Sequence, residues 1–301
     1  MIQTRRTETK NNYFKPRVQH VGIMYREQTE KAILSATEIA LWLKERKISC
    51  YTLPDQKTIP GTQLISSSLT WKKLNLVIVL GGDGTYLRAA CHIEGRKIPL
   101  LGFNMGSLGF LTNFSSDQIF PILENTLSGK MELQSRTILE AHIIRKKKKI
   151  SSFLAINDIV IERGSFSQLI NTSIYSENYY ISQIKADGLI IATPTGSTAY
   201  NLAAGGPLIY PDSHCIVLTP IAPHSLNSRP LILPDDRKLN FKLEDSTPKA
   251  HFIVDGQKKM EISNADEIHI VKSTHQHWII RSPSHNFFHL LREKLKFGER
   301  A

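Results

Sequence analysis

The stretch LNLVIVLGGDGT, residues 74–85, is an almost unbroken apolar run that stops at three glycines set around one aspartate. Strands buried on both faces of a parallel sheet read this way, because neither face meets water. Residues 85–92 continue with helical spacing, so the run, the glycines and these residues form a strand–turn–helix unit. Working outward, 18–25, 48–53 and 98–103 read as further short strands. Between them, 29–46 repeats Ala32, Ile33, Ala36, Ile39, Ala40 and Leu43 at helical intervals, and 116–129 reads as a helix stopped by Gly129. Strands alternating with helices predict a Rossmann-like parallel sheet in an α/β domain.

Past about residue 136 the pattern changes. Residues 138–144, 153–162, 167–175, 179–184, 189–192, 215–219, 231–233, 240–243, 252–254 and 267–271 read as strands separated by polar or glycine turns. A helical segment returns only after Thr198 and again over 284–297, where Phe287, Phe288, Leu290, Leu291 and Leu295 are apolar. The expected organisation is an α/β domain of residues 1–136 plus 284–301 and a β-rich domain of 137–283, with the C-terminal helix returning to the first. Residues 1 to about 15 are polar and read as a loose arm.

The 301-residue length allows one large or two ordinary domains, and 41% hydrophobic with 22% charged residues excludes a disordered chain. The net charge of +11 admits anionic partners. Its lysines and arginines gather at Arg5–Arg6, at 145–149 and from Arg292 onward, which reads as solvated faces and tails. Neither a nucleic-acid nor a membrane partner is expected. Cys50, Cys91 and Cys215 are widely spaced, with no CxxC, which points to a reducing compartment. The first residues lack the apolar core of a signal peptide, and no apolar run approaches the ~18 residues of a membrane helix. A cytoplasmic protein is the expectation.

Gly81-Gly82-Asp83-Gly84-Thr85 lets the backbone approach a ligand closely, and the helix behind it offers free N–H groups to a phosphate. A carboxylate among those donors disfavours phosphate unless it handles a hydroxyl or a metal, and that combination fits phosphoryl transfer. No GxxxxGK[ST] occurs, and Leu87 occupies the third glycine position of a dinucleotide fingerprint. A second glycine loop, Asn104-Met105-Gly106-Ser107-Leu108-Gly109-Phe110-Leu111, comes after the next strand, where open α/β sheets receive ligands. A third stretch, 187–207, reads DGLIIATPTGSTAYNLAAGGP. Thr195, Ser197 and Thr198 supply small donors, one of which could simply cap the helix, and Tyr200 offers a ring for stacking on a purine. His275 and His277 share a strand face, but without a third ligand no metal site is assigned.

Taken in order, GGDGT, the NxGxLGFL loop, Asn157-Asp158 and DGLIIATPTGSTAYNLAAGGP resemble the NAD kinases, and the resemblance spans nearly the whole chain. GGDGT has counterparts in lipid kinases of the diacylglycerol and sphingosine type; TPTGSTAY is more specific. The resemblance implies transfer of phosphate from ATP to the 2′-hydroxyl of the adenosine ribose of NAD. A divalent cation, usually magnesium, and a homodimer or homotetramer are implied with it. Asp83 matches the aspartate that activates the hydroxyl; Gly81, Gly82, Gly84 and Thr85 match the phosphate-facing loop. Asn104 belongs to the second loop, and Phe110 matches an aromatic of the adenine pocket. Asn157 and Asp158 match a ribose-binding Asn-Glu pair, here with the shorter carboxylate. Asp187 matches an aspartate near the nicotinamide, and Thr195, Thr198, Ala199 and Tyr200 belong to the base-contacting segment. Asn201 and Ala203 stand where the family more often has serine. Asp255 resembles a residue that reaches a neighbouring chain's site. A lipid kinase and a non-catalytic NAD(P) sensor are the alternatives; an intact Asp83 speaks against the sensor.

Overall fold

A computed structural model describes residues 12–15, 17–164, 168–247, 249–284 and 286–298. Arg5–Arg6 and most of the polar arm lie outside them. The arm's last residues are anchored: Tyr13 bridges Glu132, and the Phe14 N–H donates to the Met131 carbonyl at 2.8 Å. The chain forms two compact units, one of residues 1–86, 98–134 and 278–301, the other of 87–97 and 135–277. This division differs from the expected one at residues 87–97 and by a few residues at each junction.

In the first unit the strands Thr62–Leu64, Ser49–Thr52, His20–Tyr25, Leu76–Gly81 and Leu100–Asn104 lie side by side in that order, all parallel. Every residue of Leu76–Gly81 and of Leu100–Asn104 is buried, which is why both read as continuous apolar runs. Helix Glu30–Glu45 covers the sheet with Ala32, Ala36, Ile39, Ala40 and Leu43. The register pairs Gly81 with Asn104, so the two glycine loops leave adjacent strands at the same carboxyl edge. The short edge strand Thr62–Leu64 and helix Ser68–Lys73 have no counterpart in the sequence reading. Three residues in one and no buried residue in the other leave no periodic apolar signal.

The second unit holds a six-stranded antiparallel sheet, in the order Leu231–Pro234, Cys215–Ile221, Gly188–Ala192, Asp158–Glu162, Lys249–Val254, Lys258–Ser263. Its apolar side shares one core with Glu132–Arg145, Lys148–Ala155, Ile170–Ser176, Leu239–Leu243 and the start of Asp266–Arg281. The basic cluster at 145–149 is a hairpin turn, with Lys146 and Lys147 both at positive φ. Arg145 leaves that turn to grip Asp266 through two bonds of 2.7 and 2.8 Å. Two expected strands change. Residues 153–162 break into Lys148–Ala155 and Asp158–Glu162, and the expected 267–271 is a 16-residue strand, Asp266–Arg281, whose Ile279 pairs with Leu100 in the first unit's sheet.

Candidate active site

In the first unit, Asp83 opens helix Asp83–Ile93 directly after strand Leu76–Gly81, a position where the helix dipole favours a negative charge. Its carboxylate is held by the second glycine loop. Oδ1 accepts the N–H groups of Leu111 and Thr112 at 3.0 and 3.1 Å and the Thr112 hydroxyl at 3.2 Å; Oδ2 accepts the Phe110 N–H at 2.9 Å. Oδ1 is thereby saturated, while Oδ2 keeps one lone-pair direction.

The glycines divide by what they do. A Cβ at Gly81 would collide with the Thr85 side chain, and one at Gly109 would fall on Asp83 Oδ1, so those two serve packing. A Cβ at Gly82, Gly84 or Gly106 would meet nothing within 4 Å, and none of the three has positive φ. Neither space nor backbone conformation demands glycine there, which leaves access to the backbone as the reason. Asn104 is buried and turns the loop by accepting the Gly106 N–H at 2.6 Å. Phe110 is buried with its ring centroid 6.5 Å from that of Phe287, and its carbonyl accepts from Arg281 at 3.3 Å.

In the second unit a cavity of about 320 Å³ is lined by Asn157, Asp158, Glu162, Ala199, Tyr200 and Asp255, among others. Asn157 is 8% exposed, and its side-chain carbonyl is enclosed without a hydrogen-bond partner. Buried polar atoms are nearly always paired, and this one is an exception sealed from solvent beside the cavity. In the three-residue connection between Val254 and Lys258, Asp255 and Gly256 both have positive φ, and the Gln257 N–H closes the turn on the Val254 carbonyl at 2.9 Å. The Asp255 carboxylate turns inward to accept the N–H groups of Ile156, Asn157 and Asp158 at 2.8, 2.7 and 3.0 Å. Both its oxygens are engaged within its own chain, and they hold the break between the two strands that the sequence reads as one. Burial pushes the Asp255 carboxyl up to about 6; burial and then the charge of Asp255 push Asp158 up to about 7.

The threonine-rich turn is locked onto the same break. Thr193 donates its hydroxyl to the Ile156 carbonyl at 2.6 Å and its N–H to that of Asn157 at 2.8 Å, and a Cβ at Gly196 would strike the Asn157 backbone. Thr195–Thr198 forms a single 3₁₀ turn, in which the Thr198 hydroxyl donates to the Thr195 carbonyl at 3.3 Å, before the short helix Tyr200–Ala203. Asn201 is fully buried: it donates to the Ser197 and Pro207 carbonyls and accepts from Thr219 at 2.6 Å, which makes it a brace for the turn. Tyr200 is 42% exposed, and its hydroxyl is raised by burial and then by the charges of Glu162, Asp158 and Asp187. Asp187 pairs with Arg163 Nε at 2.7 Å. Glu162 and Arg163 belong to no motif, so no signal in the sequence marks them.

A parallel α/β unit that fixes a lone aspartate between two open glycine loops, together with a unit whose cavity is lined by Asp158, Glu162 and an exposed tyrosine, has the make-up of a nucleotide-dependent phosphotransferase. Residues 65–131 match the model of the ATP-NAD kinase N-terminal domain, and residues 156–282 that of its C-terminal domain. A NAD kinase of Bdellovibrio bacteriovorus is 56% identical over 280 residues, covering 93% of this chain and 92% of its own length. One of Geobacter sulfurreducens is 38% identical over 266 residues, with 88% and 94% covered. The crystal structure of yeast NADH kinase complexed with NADH is similar with a TM-score of 0.85 at 28% identity, covering 94% of this chain and 89% of that one. That of a NAD kinase from Archaeoglobus fulgidus in complex with ATP gives 0.72 at 25% identity, with 92% and 98% covered. The chain belongs to the ATP-NAD kinase family. It is an enzyme, a kinase of NAD with ATP as donor, and the lipid-kinase and sensor alternatives are not favoured.

Proposed function

We propose that Asp83 receives the proton of the 2′-hydroxyl on the adenosine ribose as that oxygen attacks the γ-phosphorus of ATP. One O–P bond forms, the bond between the γ-phosphorus and its bridging oxygen breaks, and ADP leaves with the electron pair. The observation that carries this reading is the state of the Asp83 carboxylate: Oδ1 is fully engaged, and Oδ2 retains a lone-pair direction for one hydroxyl. Gly82, Gly84 and Thr85, with Gly81 packed against Thr85 and Asn104 shaping the second loop, make the phosphate-facing surface, and Phe110 flanks it. In the second unit, Asn157 and Asp158 bind a ribose of the dinucleotide. Thr195, Thr198, Ala199 and Tyr200 meet its bases, Asp187 marks its nicotinamide end, and Asp255 positions the Asn157–Asp158 backbone.

A magnesium ion carried on the ATP phosphates would neutralise charge on the transferred group. The chemistry of the donors supports that mode: among the described residues no three His, Cys, Asp or Glu side chains gather as a cage, and magnesium commonly binds through phosphates, waters and one or two carboxylates. The enzyme acts in the cytoplasm as a homodimer or homotetramer. Two exposed edge strands support assembly: Tyr179 and Tyr180 are 80% and 58% exposed on one, Leu231 and Ile232 38% and 48% on the other. Incubating the purified protein with ATP, magnesium and NAD should yield NADP. In Asp83→Asn the turnover should fall by about 10²–10⁴ while dinucleotide affinity by calorimetry is kept. Parental turnover in that variant would remove Asp83 from the chemistry.

A further inference from the structure

We propose that Lys294 is the cation that faces the phosphoryl group as it is transferred at Asp83; the inference rests on the proton-accepting role proposed for Asp83. Helix Phe287–Leu295 starts on Asn286, whose side chain accepts the Phe288 and His289 N–H groups. Phe287, Leu290, Leu291 and Lys294 fall at i, i+3, i+4 and i+7, on one face. Leu290 and Leu291 are 4% exposed each and Phe287 packs near Phe110, so this is the face turned to the core. Lys294 lies at the exposed end of that face, its side chain 31% exposed, so burial gives its charged head no role.

Its surroundings supply one. Lys294 Nζ lies 4.7 Å from the centroid of the Phe110 ring, whose electron-rich face attracts a cation, and 3.7 Å from Asp83 Oδ2. The second distance is an ion pair but too long for a hydrogen bond. Lys294 is therefore held beside Oδ2 with its N–H donors uncommitted to that oxygen, and it adjoins the one carboxylate direction left open for the hydroxyl. Asp83 does not need it for orientation, since four hydrogen bonds already fix that carboxylate. What a cation at this point can do is offset negative charge on the phosphoryl oxygens as the group passes to the ribose oxygen. Lys294 neither gains nor gives a proton in the step; the hydroxyl proton goes to Asp83.

The test is a double-mutant cycle on the full chain, with phosphate transfer followed from radiolabelled ATP to NAD. Lys294→Met keeps the stem over Phe110 without the charge and should lower kcat by about 10²–10³, the scale for losing one transition-state donor. NAD affinity by calorimetry should be unchanged, and Lys294→Arg should recover part of the rate. The double variant with Asp83→Asn should be slower than Asp83→Asn alone, because the two groups act on different atoms. Lys294→Met within about threefold of the parent in kcat, or a double variant equal to Asp83→Asn, would overturn the assignment. Asp83→Asn at the parental rate would overturn the reading of Asp83 and this inference with it.

Discussion

Replacing Asp255 separates its charge from its work as an acceptor. Asp255→Ala and Asp255→Asn both delete the charge, which burial makes unfavourable by raising the carboxyl from 3.8 to about 6. That shift corresponds to about 3 kcal/mol for the ionised form at pH 8. The two variants differ in what they leave to the backbone. An asparagine whose oxygen takes the Oδ1 position keeps the bonds from Asn157 at 2.7 Å and Asp158 at 3.0 Å and loses only that from Ile156. Alanine loses all three. With about 1–2 kcal/mol for each retained bond, Asp255→Asn should be the more stable variant by roughly 2–4 kcal/mol. The gap would appear at pH 8 as a difference on the order of 1 M in urea midpoint with the slope unchanged. Hydrogen exchange of peptides spanning 156–158 should accelerate in the alanine variant and much less in the asparagine one. Because Asn157 and Asp158 line the cavity, the alanine variant should also show the larger rise in KM for NAD. Equal urea midpoints and equal exchange in the two variants would refute the claim that Asp255 holds the strand break through those bonds.

Gly109→Ala should abolish most turnover, because its Cβ would displace Asp83 Oδ1, whereas Gly82→Ala should unfold like the parent and lose ATP affinity instead; urea midpoints and ATP titrations of both variants decide. Tyr200→Ala should weaken NAD binding about tenfold or more, the scale of one stacked base, and equal calorimetric affinities would reduce Tyr200 to packing. Asp158 and Asp255 both have folded-state values raised above the unfolded 3.8, so the stability they contribute is complete below about pH 4 and is lost as pH rises through about 6 and 7. Asp158→Asn should therefore shrink the fall in melting temperature between pH 5 and pH 8, and an unchanged fall would show that Asp158 does not titrate there.

The parts legible in the sequence are those whose signal is local. The apolar run at 74–80 reports a strand buried on both faces, the 29–46 spacing reports a helix lying on a sheet, and GGDGT after a strand reports a glycine turn that opens a helix. Gly205, at positive φ, closes the short helix as its type suggests. The sequence misled where the deciding partner is remote. Residues 153–162 carry the β-branched pattern of one strand, yet the strand breaks because Asp255, 97 to 99 residues away, takes three consecutive N–H groups.

By itself, then, the sequence determined the longer strands and helices, the two glycine loops and the residue types available for phosphoryl transfer, because periodicity and backbone freedom are properties of neighbours along the chain. Only the tertiary structure decided which glycines serve packing and which leave the backbone open, and that Asp255 braces a turn. It also set Lys294 beside Asp83. Each of these depends on a distance between residues far apart in sequence, and such distances are set by the register of the sheet and the packing of a helix, which no local pattern encodes.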